Sequence, residues 1–169
     1  YNSEKIIKDC LNKIIKETKK IKSEIIVVDD KSTDETVKVV KKIKGVKLIK
    51  LKKNKGVGNA RNVGAEKAKF AILCFIDSDI IISKNSIYNL LKRFHKNDSV
   101  GSVSATQNTI NLNKENWTSN FVCLKSCYGT ESIKVEKDFS SISSEFCIIS
   151  KKLFNKIGRW KALYGAGGE

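Results

Sequence analysis

Apolar residues recur along this chain in two alternating rhythms. From Glu4 to Thr18 they fall at Ile6, Ile7, Cys10, Leu11, Ile14 and Ile15, the three-and-four spacing of one helical face. Asn2 or Ser3 stands where a helix cap is wanted. Glu24–Val28 is a short β-branched run that reads as a strand. Ser32-Thr33-Asp34-Glu35 then has the form of a capping box, Ser32 at the N-cap and Glu35 three residues on. The helix it predicts runs through Val37, Val39, Val40 and Ile43 and stops near Gly45. Val46–Leu51 predicts a strand, 54–58 a turn, 59–69 a short helix and Phe70–Ile76 a buried strand. Ser83 is placed to cap a helix whose inner face carries Ile87, Leu90, Leu91 and Phe94. Val100–Ala105 and Phe146–Ile149 read as strands and Lys151–Ile157 as a helix, while 107–140 shows no usable period.

Strands alternating with helices of this length predict an α/β fold with a mostly parallel central sheet flanked by helices. Its crossovers place the loops after the strands along one edge, where ligands of open α/β sheets bind. Three polar clusters fall on that edge: Asp29-Asp30, the 53–61 segment, and Asp77-Ser78-Asp79. Two carboxylates at i and i+2, just past an apolar strand, suit a hard divalent cation that keeps waters and also grips a diphosphate. Asp and Ser equally favour an Asx turn or a helix cap there.

Composition narrows the picture. With 169 residues and 40% hydrophobic content, the chain is large enough for one domain with a core. No apolar stretch approaches the ~20 residues that span a bilayer, and no signal-peptide pattern stands at its start. Cys10, Cys74, Cys123, Cys127 and Cys147 are odd in number and sit mostly in apolar strings, as reduced core thiols of a cytoplasmic protein do. Cys123 and Cys127 lack the second Cys/His pair of a zinc site, His95 being the only histidine. The Asn116-Trp117-Thr118 sequon reads as chance. The net charge is +15, and residues 1–55 hold 17 lysines against 8 acidic residues. A basic surface attracts phosphates, nucleic acid or anionic lipid, but here the lysines are spread over helix faces, which is the solvated-surface pattern. The chain opens at Tyr1 without Met, closes at Glu169, and lacks Pro and Met altogether, so we expect a piece of a longer protein.

Residues Val27 to Asp34, read V-V-D-D-K-S-T-D, resemble the V-V-D-D-G-S-T-D signature of family 2 glycosyltransferases, with Lys31 in place of Gly. Asn54 to Gly64 is similar to that family's N-x-G-x-x-x-A-R-N-x-G, and Asp77-Ser78-Asp79 to its D-x-D. Tyr1-Asn2 resembles the end of its P-x-Y-N and Gly167-Gly168-Glu169 the start of its G-G-E-D. The motifs are in order and span the chain.

The resemblance implies a Rossmann-like GT-A nucleotide-diphospho-sugar transferase fold and an inverting, metal-dependent transfer of a sugar from a nucleotide-diphosphate donor, a UDP-sugar, to an acceptor hydroxyl on a glycan or lipid-linked molecule. It implies that Asp29 or Asp30 accepts a hydrogen bond from the base, against the reading that the pair caps a helix. It implies that Arg61 reaches the nucleotide or its phosphates, with a surface arginine as the alternative. Arg61 is one of three arginines among 33 basic residues, and its rigid fork suits phosphate. Gly56, Gly58 and Gly64 would permit a tight turn and close helix packing. Asp79 would ligate Mn²⁺ or Mg²⁺, with Asp77 as second ligand or on the ribose beside Ser78. Tyr1 would stack near the base or belong to a disordered terminus. The general base of such motifs is the final Asp, which makes Glu169 its neighbour. Trp160 would lie under the acceptor site or fill the core. Two rivals stay open: a polyprenyl-phosphate glycosyltransferase using GDP-mannose or UDP-glucose at the inner face of a membrane, and a non-catalytic basic domain binding nucleotides or nucleic acid. The absence of any nucleic-acid motif argues against nucleic acid.

Overall fold

A computed structural model describes residues 1–96, 100–105 and 145–161. Ala105 apart, all of these belong to one compact unit; residues 105–141 group as a second, and the rest of it lies outside the described residues. The elements in chain order are α1 (Ile7–Thr18), β1 (Ile25–Asp29), α2 (Thr36–Lys41), β2 (Val46–Lys50), α3 (Val57–Lys67), β3 (Ile72–Ile76), α4 (Ser86–Phe94), β4 (Ser102–Ser104), β5 (Phe146–Ser150) and α5 (Lys151–Lys156).

The strands form two hydrogen-bonded groups. β1 and β2 pair in parallel, Ile25 opposite Val46 through Asp29 opposite Lys50. In the other group the order is β3-β5-β4, and β5 runs antiparallel to both neighbours. The expectation of a mostly parallel sheet therefore holds for β1–β2 and is corrected in the three-stranded group. There a strand from late in the sequence inserts between two that run alongside each other. Nothing in the 146–149 pattern reports direction, because a strand buried on both faces is apolar throughout either way.

Burial follows that placement. The central strand β5 is buried from Phe146 to Ile149, whereas β3 alternates, Leu73 and Phe75 buried and Cys74 exposed. The apolar run 70–76 thus overstates the burial of β3. Ala65 of α3, Leu73, Phe75, Cys147, Ile149 and Phe154 form one core cluster, with Ala68, Leu153 and Trp160 packed on it. Helix α3 also lies on β1, where an added Cβ at Gly64 would come 3.4 Å from the Val28 side chain. It therefore joins the parallel pair to the core of the other group. α1 buries Ile7, Cys10, Leu11 and Ile14 against α2 and α4.

The side-chain caps expected at three helix starts do not form. At α1 the helix begins at Ile7, and it is the Ser3 carbonyl, not a side chain of Asn2 or Ser3, that receives the Ile6 and Ile7 amides. Ser32 does not cap α2, and no capping box forms: the helix begins at Thr36, whose amide donates to Asp34 Oδ1 (3.0 Å), while Glu35 pairs with Lys38. For α4 it is the Ser83 carbonyl, not its hydroxyl, that receives the Ser86 amide (3.3 Å) and hydroxyl (2.8 Å). At α5 a local cap does form, Ser150 Oγ accepting from the Leu153 amide at 3.1 Å.

Candidate functional site

Four segments distant in sequence meet beyond the carboxyl ends of β1 and β3. Asp29 ends β1 and Asp30 follows it; each is only 4% exposed. Successive residues of an extended chain point to opposite sides, and the two carboxylates do different things. Asp29 turns to its own loop, accepting the Ser32 amide at 3.3 and 3.2 Å. Asp30 reaches across to the second motif. It accepts the Lys55 amide (2.9 Å) and the Gly56 amide (2.7 Å) at the start of α3. Between the two strands' loops the chain must turn sharply, and Lys31 takes a left-handed conformation, φ +65°, where the resembling signature has Gly. Gly56 turns the same way, φ +87°.

Arg61, on the second turn of α3, is buried. Its Nη2 donates to Asp77 Oδ1 at 2.7 Å, and its guanidinium lies 5.0 Å above the Trp160 ring. A buried guanidinium needs an opposite charge, and a flat delocalised cation stacks well on an indole. The surface-arginine reading is thereby corrected. Its neighbour Asn62 grips the backbone of Trp160 at both ends: Nδ2 donates to the Trp160 carbonyl (2.8 Å) and Oδ1 accepts its amide (3.0 Å). Trp160 itself packs on Phe75 and Phe154, ring centroids 6.0 and 6.3 Å away.

The Asp77-Ser78-Asp79 segment is a turn closed by the Ile80 amide on the Asp77 carbonyl (3.2 Å). The Asp77 amide is fixed to the Glu145 carbonyl at 2.8 Å. Asp77 is half-buried and Asp79 exposed. Beneath them sits the Cys10 thiol, donating to the Asp77 carbonyl at 3.7 Å. Burial, and then the negative charges of Asp79 and Asp77, push that thiol up to about 11.

The first four residues complete the ring. The Asn2 amide donates to Ser32 Oγ (2.9 Å), and its side chain exchanges hydrogen bonds with Thr33, accepting the Thr33 amide at 2.9 Å. The Ser3 amide donates to Thr36 Oγ1 (2.7 Å), and the Ser3 and Ser78 hydroxyls share a hydrogen bond of 2.8 Å. Tyr1 is exposed, at 57%.

The structure thus brings together Asp29, Asp30, Gly56, Arg61, Asp77, Ser78 and Asp79, with Tyr1 alongside at the segment that joins them. Glu169, Cys123, Cys127 and the Asn116 sequon lie outside the described residues. Among the described residues no three His, Cys, Asp or Glu side chains gather as a metal cage. Two oxygen donors, Asp77 and the exposed Asp79, remain. That set fits Mn²⁺ or Mg²⁺, which take one or two carboxylates and complete their shells with water and substrate phosphates. Sequence reasoning gave Asn62, Ser3 and Asn2 no role in the site; Asn2 and Asn62 stand within the family-like motifs and Ser3 was read with Asn2 as a helix cap, none of which reports their long-range partners.

A family model, glycosyl transferase family 2, matches residues 1–158. The poly-beta-1,6-N-acetyl-D-glucosamine synthase of Staphylococcus aureus is 26% identical over 166 residues, 95% of this chain and 40% of that protein; the Staphylococcus epidermidis synthase is 24% identical over the same shares. Among solved structures, the mannosyltransferase PcManGT from Pyrobaculum calidifontis, in complex with GDP-Man and Mn²⁺, superposes with a TM-score of 0.73 at 20% identity, covering 98% of this chain and 46% of that one. S. aureus TarS (residues 1–349) gives 0.66 at 23% identity over 99% and 50%, and GalNAc-T7 with UDP, GalNAc and Mn²⁺ gives 0.67 at 20% over 95% and 35%. The chain spans half or less of the length of each of these.

Proposed function

The chain belongs to glycosyl transferase family 2 and has the Rossmann-like GT-A fold, and on that premise we propose that it forms the donor-binding part of a metal-dependent, inverting glycosyltransferase using a nucleotide-diphosphate sugar, with UDP as the nucleotide. The observation that carries the reading is the locking of three motif segments to one another, through Asp30 on the Lys55 and Gly56 amides and through the Arg61–Asp77 pair.

The residues divide the work. Asp30 has both oxygens committed to backbone amides and acts as the lock. Asp29, with longer bonds to a single amide, keeps lone pairs for a donor N–H and is the base-recognising carboxylate. In a buried setting that bond is charge-assisted and strong. Tyr1 offers an aromatic face to the base. Arg61 holds Asp77 in one orientation and lends positive charge near the diphosphate. Asp79 and Asp77 would hold the Mn²⁺ or Mg²⁺, which supplies charge stabilisation to the departing nucleoside diphosphate. The acceptor is a hydroxyl of a glycan or lipid-linked molecule. Of the proteins named above, two are poly-beta-1,6-N-acetyl-D-glucosamine synthases and two were solved with GDP-Man or with UDP, so both nucleotides belong in the test.

That test is a thermal-shift panel of UDP, GDP and CDP with and without Mn²⁺. At a hundredfold excess over Kd a ligand that binds only the folded chain stabilises it by about 2.7 kcal/mol. Metal-dependent stabilisation by UDP, lost in Asp79→Ala, is the expected result. Stabilisation by GDP alone moves the donor to GDP-mannose. Nucleotide stabilisation that needs no Mn²⁺, or a metal-dependent response that survives Asp79→Ala, overturns the metal assignment.

A further inference from the structure

Residues 1–4 hold more of the site than their position suggests. Asn2 binds Ser32 and Thr33, the Ser3 amide binds Thr36, and the Glu4 amide binds Asp34 Oδ2 at 3.1 Å. All of these fall on the loop that follows Asp29-Asp30 or on Thr36, the first residue of α2. The Ser3 hydroxyl is different. It leaves that loop and meets Ser78 Oγ at 2.8 Å, between the two carboxylates of the third motif. Both serines are half-buried. No other hydrogen bond between described side chains links the residue 32–36 side of the site to the Asp77–Asp79 turn.

We propose that Ser3 is a positioning residue of the donor site: through its hydroxyl on Ser78 it sets the Asp77–Asp79 turn at a fixed distance from the base-recognising loop. The proposal rests on the donor-binding reading above. A nucleoside diphosphate is a ligand of fixed reach, with the base at one end and the metal-bound diphosphate at the other. Its affinity depends on the separation of the two places that grip it, and a loosened turn lowers affinity without removing any contacting group. Ser78, with its hydroxyl engaged by Ser3, serves the site through that bond. The turn is also held by the Asp77 amide on the Glu145 carbonyl, the Arg61 pair and the weak thiol bond from Cys10.

A double-mutant cycle on Mn²⁺-dependent UDP affinity tests this, measured by calorimetry on the full chain with Ser3→Ala, Ser78→Ala and the double variant. Loss of one neutral hydrogen bond predicts about three- to tenfold weaker binding in each single variant. It also predicts no further loss in the double, because residues acting through one bond are not additive. Ser23→Ala, whose hydroxyl binds only the Ile21 carbonyl, serves as the control and stays at wild type. Hydrogen exchange supplies a readout that needs no ligand: amides 78–80 exchange faster in Ser3→Ala, whereas a variant that is simply less stable exchanges faster everywhere. Additive losses, or wild-type affinity in Ser3→Ala, overturn the proposal and leave the donor reading standing. A wild-type chain bound by no nucleotide overturns both.

Discussion

Arg61 is the side chain through which most of the site's order passes. Its cation faces Asp77 on one side and an indole on the other. Removing it takes the Arg61 ion pair from a half-buried carboxylate, a loss of about 1–3 kcal/mol. Arg61→Met is therefore expected to lower the urea midpoint clearly. Arg61→Lys restores only part of the loss, because an ammonium neither forks nor stacks; equal midpoints for the Lys variant and wild type would show that charge alone matters. Lys31 makes the opposite prediction. Its left-handed backbone costs about 1–2 kcal/mol, offset in part by the lower unfolded-chain entropy of a non-glycine residue. Lys31→Gly should accordingly stabilise the chain by about 0.5–1 kcal/mol, read as a rise in Tm.

At the scale of elements, α2 shows why some of the fold was legible in the sequence and some was not. Its apolar residues announced a helix, and Val40 is buried as that spacing requires. Its start was misread because the groups that satisfy it come from thirty residues away. Glu4 Oε2 accepts the Glu35 amide at 2.9 Å, and the Thr36 hydroxyl oxygen accepts the Ser3 amide. A capping box is a local pattern, and tertiary partners outcompeted it. Glu4→Ala is expected to cost about 1 kcal/mol, the worth of an ordinary cap, and circular dichroism with a denaturant titration would read it. The candidate site was legible for a related reason: its residue types and their place after strands are local properties. The direction of β5, the Asn62 grip on Trp160 and the Ser3–Ser78 bond are long-range and leave no trace in spacing.

The whole molecule carries a large positive charge and, among the described residues, two buried thiols, Cys10 and Cys147. The +15 surface is solvated, while Cys147 lies 3% exposed in the core. Burial, outweighing the nearby Arg61 charge, pushes its thiol from 9.0 up to about 11. Below pH 9 both folded and unfolded chains keep this proton and stability is unaffected. Between about 9 and 11 the unfolded chain releases it and the folded chain does not, so stability falls across that window by an amount on the order of 2 kcal/mol. Cys147→Ala should have a lower Tm at pH 8 yet a shallower decline to pH 11. Identical slopes would mean that the thiol ionises as freely in the folded chain as in the unfolded one.

The insertion of β5 between β3 and β4 also has a consequence for how the protein is made. Strand β3 leaves the ribosome roughly seventy residues ahead of the strand that pairs with it, an interval of about 4–15 s at ordinary synthesis rates. Through that interval Leu73 and Phe75 have no β5 to cover them, and the backbone of β3 offers an open edge to any other nascent strand. Conditions that slow elongation across residues 105–145 should therefore send more of this protein to chaperones or aggregates, with no change in the stability of the chain once it is finished.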